Sequence, residues 1–263
     1  MNLKMKSTTM KYLTACLPFL LCFPASEISA AGGGARYEFK IPVAMEKTAD
    51  ESGREWRDFF LSAKSKFKDR TQYSFFQYSD VSDEEWKRGA WSVSFAGGLI
   101  SNSDLPKSSL GTKTLGSFSM SHQRFTNVDF LSGVEELRRD LYLDGNQIEN
   151  LKGMRNIKKA YYHNLVLRKN KLKSLDGLEN LRQIRRLDVH GNPELVDISA
   201  IKNIESHGVV YVDDIRQYKI KPPKGSPFCN SIKNRKVFAR EQLLNKKGEY
   251  VDGQELTESQ ICM

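Results

Sequence analysis

The chain has 263 residues, 39% of them hydrophobic and 28% charged, with a formal net charge of +9. That apolar share can build one sizeable core or two small ones, and it excludes a chain disordered throughout. The surplus of base bears on solubility and on attraction to acidic partners, not on fold.

Lys4, Lys6 and Lys11 form a basic head, Tyr12 to Ala25 carries no charge, and small residues follow at Ser29, Ala30 and Ala31. This order reads as a secretory signal peptide over residues 1–30; a spanning helix needs about 20 apolar residues, and Pro18 and Pro24 interrupt this run. Leu13-Thr14-Ala15-Cys16 has the outline of a lipoprotein box, but the apolar stretch lies after the cysteine instead of before it. Cleavage would leave 38 basic and 31 acidic residues, a mature charge of +7, and would remove Cys16 and Cys22. Cys229 and Cys262 would then be the only pair in an oxidising compartment, which predicts a disulfide between them. No later stretch is long and apolar enough for a bilayer, and no Asn-x-Ser/Thr acceptor site occurs, which fits bacterial export to the periplasm, the cell surface or the medium.

Gly32-Gly33-Gly34 reads as a flexible start to the mature chain. Within residues 31–115, Trp56, Phe59, Phe60, Ala63 and Phe67 fall at helical spacing, while Tyr37, Phe39, Ile41 and Val43 alternate like a strand, as do Trp91, Val93 and Phe95. A small α+β region is expected there. Asp83, Glu84 and Glu85 ahead of Trp86 read as a helix N-terminus opening at Ser82, not as a catalytic acid pair.

Self-similarity follows. Leu141-Tyr142-Leu143-Asp144-Gly145-Asn146, Leu165-Val166-Leu167-Arg168-Lys169-Asn170 and Leu187-Asp188-Val189-His190-Gly191-Asn192 share the form apolar-x-apolar-x-x-Asn. Weaker copies flank them at Phe118 to Gln123 and Val209 to Asp214, so successive periods are 23, 24, 22 and 22 residues. Between these strand-like pieces the apolar spacing changes to three, as in Leu172, Leu175, Leu178, Leu181 and Ile184. Alternation marks a strand with one inward face, and spacing of three marks a helical or 3₁₀ return segment packing the same core. The asparagine suits the turn because its amide both donates to and accepts from bending backbone; Gln123 is longer and Asp214 lacks the donor.

Residues 116–214 resemble a leucine-rich repeat of the short, 22-residue class of internalin-like bacterial surface proteins. The resemblance implies an α/β solenoid: an array of about 4–5 rungs with a parallel β-sheet, preceded by the α+β region of residues 31–115. Residues 215–263 would be a basic C-terminal cap. The residues inserted before Leu141 and Leu165 leave the register of those two rungs open.

In such an array the concave sheet is the usual binding surface. Columns two, four and six before the turn residue place Asp140, Tyr142, Asp144, Asn164, Val166, Arg168, Arg186, Asp188, His190, Val210 and Val212 on it, with Gly208 completing the last column. Tyr, Arg, Asp and His there suit a protein partner. A second candidate is the stretch from Arg216 to Lys247, with ten basic residues against Glu241 alone. Its Lys219, Lys221, Lys224, Lys233, Arg235 and Lys236 could hold an anionic glycan or lipid headgroup. Thin aromatic interleaving (Tyr218, Phe228, Phe238) argues against nucleic acid. His122, His163, His190 and His207 fall in columns or rungs too far apart to share a metal, and no metalloprotease, phosphate-loop, dinucleotide or nucleophile-elbow motif occurs. The expectation is a non-catalytic exported protein, without cofactor or metal, that binds another protein. The alternatives are envelope attachment through the basic cap, or the masking of a periplasmic toxin or enzyme.

Overall fold

The computed structural model describes residues 55, 56, 59, 72–77, 91–96, 100–110, 113–205 and 207–263. The signal-peptide reading, the 37–43 strand, the acidic run at 83–85 and most of the predicted helical stripe lie outside these residues. Trp56 and Phe59 are described, and both are buried in the main core.

Among the described residues the chain forms a mostly parallel sheet of 11 strands with few helices. The strands are β1 (Gln72–Gln77), β2 (Trp91–Ala96), β3 (Thr114–Leu115), β4 (Ser117–Ser119), β5 (Glu136–Leu137), β6 (Leu141–Tyr142), β7 (Lys159–Val166), β8 (Gln183–Asp188), β9 (Gly208–Val212), β10 (Val237–Leu244) and β11 (Tyr250–Leu256). The order is β1-β2-β4-β6-β7-β8-β9-β10-β11, with β3 and β5 paired alongside. Every neighbouring pair is parallel except β1–β2 and β10–β11, the hairpins at the two edges.

Register follows the apolar columns. Phe118 stands opposite Leu141, Leu141 opposite Leu165, Leu165 opposite Leu187, and Leu187 opposite Val210. These residues, with Leu143, Leu167, Val189 and Val212, are fully buried in one continuous cluster. The inserted residues are absorbed ahead of the columns: Ala160 pairs with Ile184 and Asn164 with Arg186, so residues 161–163 form a bulge in β7.

Spacing of three has a direct cause. In each return segment the amide of one buried apolar residue donates to the carbonyl of the one three positions earlier: Leu131 to Val128, Met154 to Leu151, Leu178 to Leu175 and Ile201 to Ile198. A 3₁₀ turn brings the same face round every three residues, so one row of side chains enters the core.

The turns are tied by an amide ladder. Asn170 Nδ2 donates to Leu167 O (2.9 Å) in its own turn and to Leu143 O (3.0 Å) in the preceding one, while Oδ1 accepts from Ile148 N (3.0 Å). Asn146 and Asn192 repeat this arrangement. Gln123 does the same with its longer arm, spanning Phe95 O, Ser121 O and the Ile100 amide. Val93 of β2 lies opposite Phe118, so the parallel stacking starts before the predicted boundary at residue 115.

The last period corrects the sequence reading. Val210, not Val209, is level with Leu187, which makes that period 23 residues. Asp213, level with His190 in that register, accepts with its two carboxylate oxygens from Gly191 N (2.7 Å) and Asn192 N (3.2 Å), so Asp214 does not continue the ladder. A carboxylate serves here because it needs only to accept from two amides. Asp214 instead caps the next 3₁₀ turn by accepting from Arg216 N.

Beyond β9, helix α1 (Pro227–Lys233) covers the open end of the core with Phe228 and Ile232, capped by Ser226 and opened by Pro227 at its first turn. Cys229 is disulfide-bonded to Cys262, which follows the short helix α2 (Glu258–Ile261). No described helix is long and apolar enough to cross a membrane.

Candidate functional site

Opposite the core, the sheet presents a second face whose side chains are not needed for burial. Because alternate strand residues share a face, Arg186, Asp188 and His190 fall together. Asp188 is wholly buried, with Arg186 Nη2 donating to its Oδ2 (2.7 Å) and His190 Nδ1 within 2.5 Å of its Oδ1. Burial pushes this carboxyl up, but hydrogen bonds from His190 and Arg186 outweigh it and hold the group below its ordinary value. The Arg186 guanidinium lies 4.5 Å over the Tyr211 ring, so it is both tethered and stacked.

The neighbouring strands repeat the theme. Asp144 accepts from Ser121 Oγ (2.6 Å) and meets Arg168 and His122, each at 3.5 Å. Asp140 accepts from Asn164 N (2.8 Å) and from the Tyr142 hydroxyl (3.1 Å). Burial and the Asp140 charge raise the Tyr142 phenol. His163 lies 3.8 Å from Asp140; burial lowers its pKa, and the guanidinium groups of Arg139 and Arg185 lower it further against the pull of Asp140.

Nine of the predicted face residues are thus brought together, from Asp140 to His190. Val166 is nearly buried and adds only a smooth floor. Val210 and Val212 are corrected: both are fully buried in the core. The one-residue shift turns Tyr211 and Asp213 out in their place, and Val209 stands level with Arg186 where Gly208 was expected. The signal was present in Val209-Val210-Tyr211-Val212-Asp213, which fits two registers; pairing both valines with Leu187 and Val189 selects the observed one.

Tyr250 was missed altogether. It enters from β11, stacks 4.4 Å from the His190 ring and lies under the Lys169 ammonium at 5.7 Å. Burial, with Asp213 nearby, raises its phenol. No local pattern points to this contact, because it depends on how the edge hairpin folds back over the turns.

The basic cap is less basic in space than in sequence. Lys219, Lys224, Lys233, Arg235 and Lys236 are exposed, and Lys221 donates to Gln260 O (2.8 Å). Antiparallel β11 returns acidic residues beside β10, and Glu255 meets both Arg235 (3.5 Å) and Arg240 (3.8 Å). Lys233, Arg235, Glu255 and Glu258 share the walls of a shallow cavity of 290 Å³, so its lining is mixed in charge. Among the described residues no group of three or more His, Cys, Asp or Glu could hold a metal.

Compared with known families and with curated proteins, the chain matches no family model and no curated sequence.

Proposed function

We propose that this is an exported protein built around a short, internalin-like leucine-rich repeat solenoid, and that the face of its sheet opposite the core binds another protein without chemistry of its own. The observation that carries this reading is the row of tyrosine and arginine side chains fixed in place across β6 to β9. Arg186 is held by Asp188 and by Tyr211, and Tyr142 by Asp140. Aromatic and arginine anchors whose rotamers are already set lose little entropy on binding, which is what a protein-binding surface needs. The Cys229–Cys262 disulfide supports export, since such bonds persist in oxidising compartments. Masking a periplasmic toxin or enzyme would be one form of this binding. The acidic residues returned by β11 weaken the alternative of polyanion attachment through the cap.

Photo-cross-linking in the cell of origin tests the reading. A cross-linker at position 164 or 168 should give a discrete protein adduct, and one at position 152 or 202, on the return segments, should not. Adducts formed only from the return segments would overturn it.

A further inference from the structure

We propose that the C-terminal cap carries a binding site for a small zwitterion with an apolar side chain, of the free α-amino-acid class, in the cavity of 290 Å³ lined by the end of α1, the start of β10 and the junction of β11 with α2. Its floor is apolar: Ile232, Val237 and Leu256 are buried, and Phe238 is half-buried. The two signs of charge on its walls come from different segments. Lys233 and Arg235 stand where α1 ends, and Glu255 and Glu258 where β11 runs into α2. Arg235 meets Glu255 only at 3.5 Å, and among the described residues neither Lys233 nor Glu258 forms an ion pair. One ammonium and one carboxylate are thus left on the walls without a counter-charge. Drug-sized ligands fill cavities of about 300–1,000 Å³, so the occupant here is smaller than these.

The backbone at Arg235 points the same way. Lys236 N donates to Ser231 O (2.8 Å) and Arg235 N to Ile232 O (3.0 Å), a helix ending in which the residue at position 235 is usually glycine. Its φ is 55°, in the left-handed region where a Cβ is strained. The chain keeps an arginine there all the same, and the guanidinium lies 5.5 Å from the centre of the Phe238 ring, at the cavity wall. Glycine would close the helix without that strain, so what the position gains is the side chain. A ligand of one sign fits poorly. Glu255 and Glu258 would repel a phosphate, and Lys233 and Arg235 would repel a polyamine. A zwitterion answers both walls, its carboxylate toward Lys233 and Arg235, its ammonium toward Glu255 and Glu258, and its side chain on the apolar floor.

The test is an NMR titration of the full mature protein, disulfide intact, with L-leucine, L-methionine and L-phenylalanine. At least one of them should bind with a Kd on the order of 1 mM, shifting the amides of residues 233–238 and 255–258. Its N-acetyl and carboxamide forms, each lacking one charge, should bind about tenfold more weakly, and so should the unmodified amino acid to Lys233→Gln and to Glu258→Gln. Arg235→Gly should weaken binding without lowering the melting temperature, because the strain it relieves serves the side chain. Lys219→Gln, outside the cavity, should leave the affinity unchanged. No shift with any of the three amino acids, shifts centred elsewhere, or an affinity untouched in both Lys233→Gln and Glu258→Gln would overturn the proposal. Analogues that bind as well as the zwitterion would do the same, as would inorganic phosphate binding more tightly at the same amides.

Discussion

Asn170→Asp is the sharpest probe of the amide ladder, because it changes one atom and leaves shape intact. The wild-type Nδ2 donates to two buried carbonyls, Leu167 O and Leu143 O, at 2.9 and 3.0 Å. A carboxylate there turns a lone pair toward both carbonyls; Leu143 O keeps Asn146 Nδ2 as a donor and Leu167 O keeps Asn192 Nδ2, but each loses one hydrogen bond and gains a buried charge beside it. At about 0.5–1.5 kcal/mol for each of the two hydrogen bonds lost, the loss is at least about 1–3 kcal/mol before the repulsion of the buried charge is added. Total stability of a domain is about 5–15 kcal/mol, so the melting temperature should fall by at least several degrees. The sign with pH follows from protonation: a neutral carboxyl can donate to one carbonyl, so the introduced group is protonated more readily folded than unfolded. Its folded pKa is raised. The variant's stability is therefore recovered below the ordinary carboxylate pKa of about 3.9 and lost as pH rises through the elevated folded value. Thermal melts at several pH values, with exposed Asn234→Asp as the matched charge control, measure this. Equal melting temperatures for the two variants at neutral pH would refute the ladder's role.

Three further outcomes follow from the same geometry. Gly153→Ala would drive a Cβ into the Val128 carbonyl of the adjacent turn and should lower the melting temperature sharply; Gly248→Ala, with nothing near its Cβ, should cost only the strain of its positive φ, about 1–2 kcal/mol. Removing the Cys229–Cys262 bond by double serine substitution should reduce urea-unfolding stability by about 3–4 kcal/mol for a closed segment of 33 residues, and reductant should reproduce the loss in the parent protein. Asp188 is held below its ordinary pKa, so it contributes stability that is full above the unfolded carboxylate value and lost as pH falls through the folded one. Asp188→Asn should therefore flatten the acid limb of the stability curve below about pH 4, measured by denaturant titration.

The parallel sheet was legible where short-range pattern dictates it. Alternation at Leu141, Leu165 and Leu187, spacing of three at Leu172 to Ile184, and a recurring asparagine each reflect a periodic demand of the backbone, and each is visible within two dozen residues. Gln123 was readable as a lengthened copy of that asparagine, and its contacts to Phe95, Ser121 and Ile100 match the role. What escaped depends on choices the pattern leaves degenerate. In Val209 to Asp214, apolar residues occupy both possible inward frames, and only packing of Val210 and Val212 against Leu187 and Val189 decides between them. Tyr250 reaches His190 from 60 positions away in sequence, through a hairpin whose placement depends on parallel pairing of Val237 with Gly208. The density of base in the cap misled for a related reason: sequence counts neighbours along the chain, while β11 brings Glu255 back beside Arg235 and Arg240.

Partner binding by this protein turns on whether the side chains on the sheet face opposite the core make the contact. With a cross-linked partner in hand, the dissociation constant of the Tyr142→Ala/Arg168→Ala variant, at matched melting temperature, measures that directly. A weakening of about 100-fold or more, corresponding to about 3 kcal/mol, is the expected result; an affinity equal to the parent protein's would contradict it.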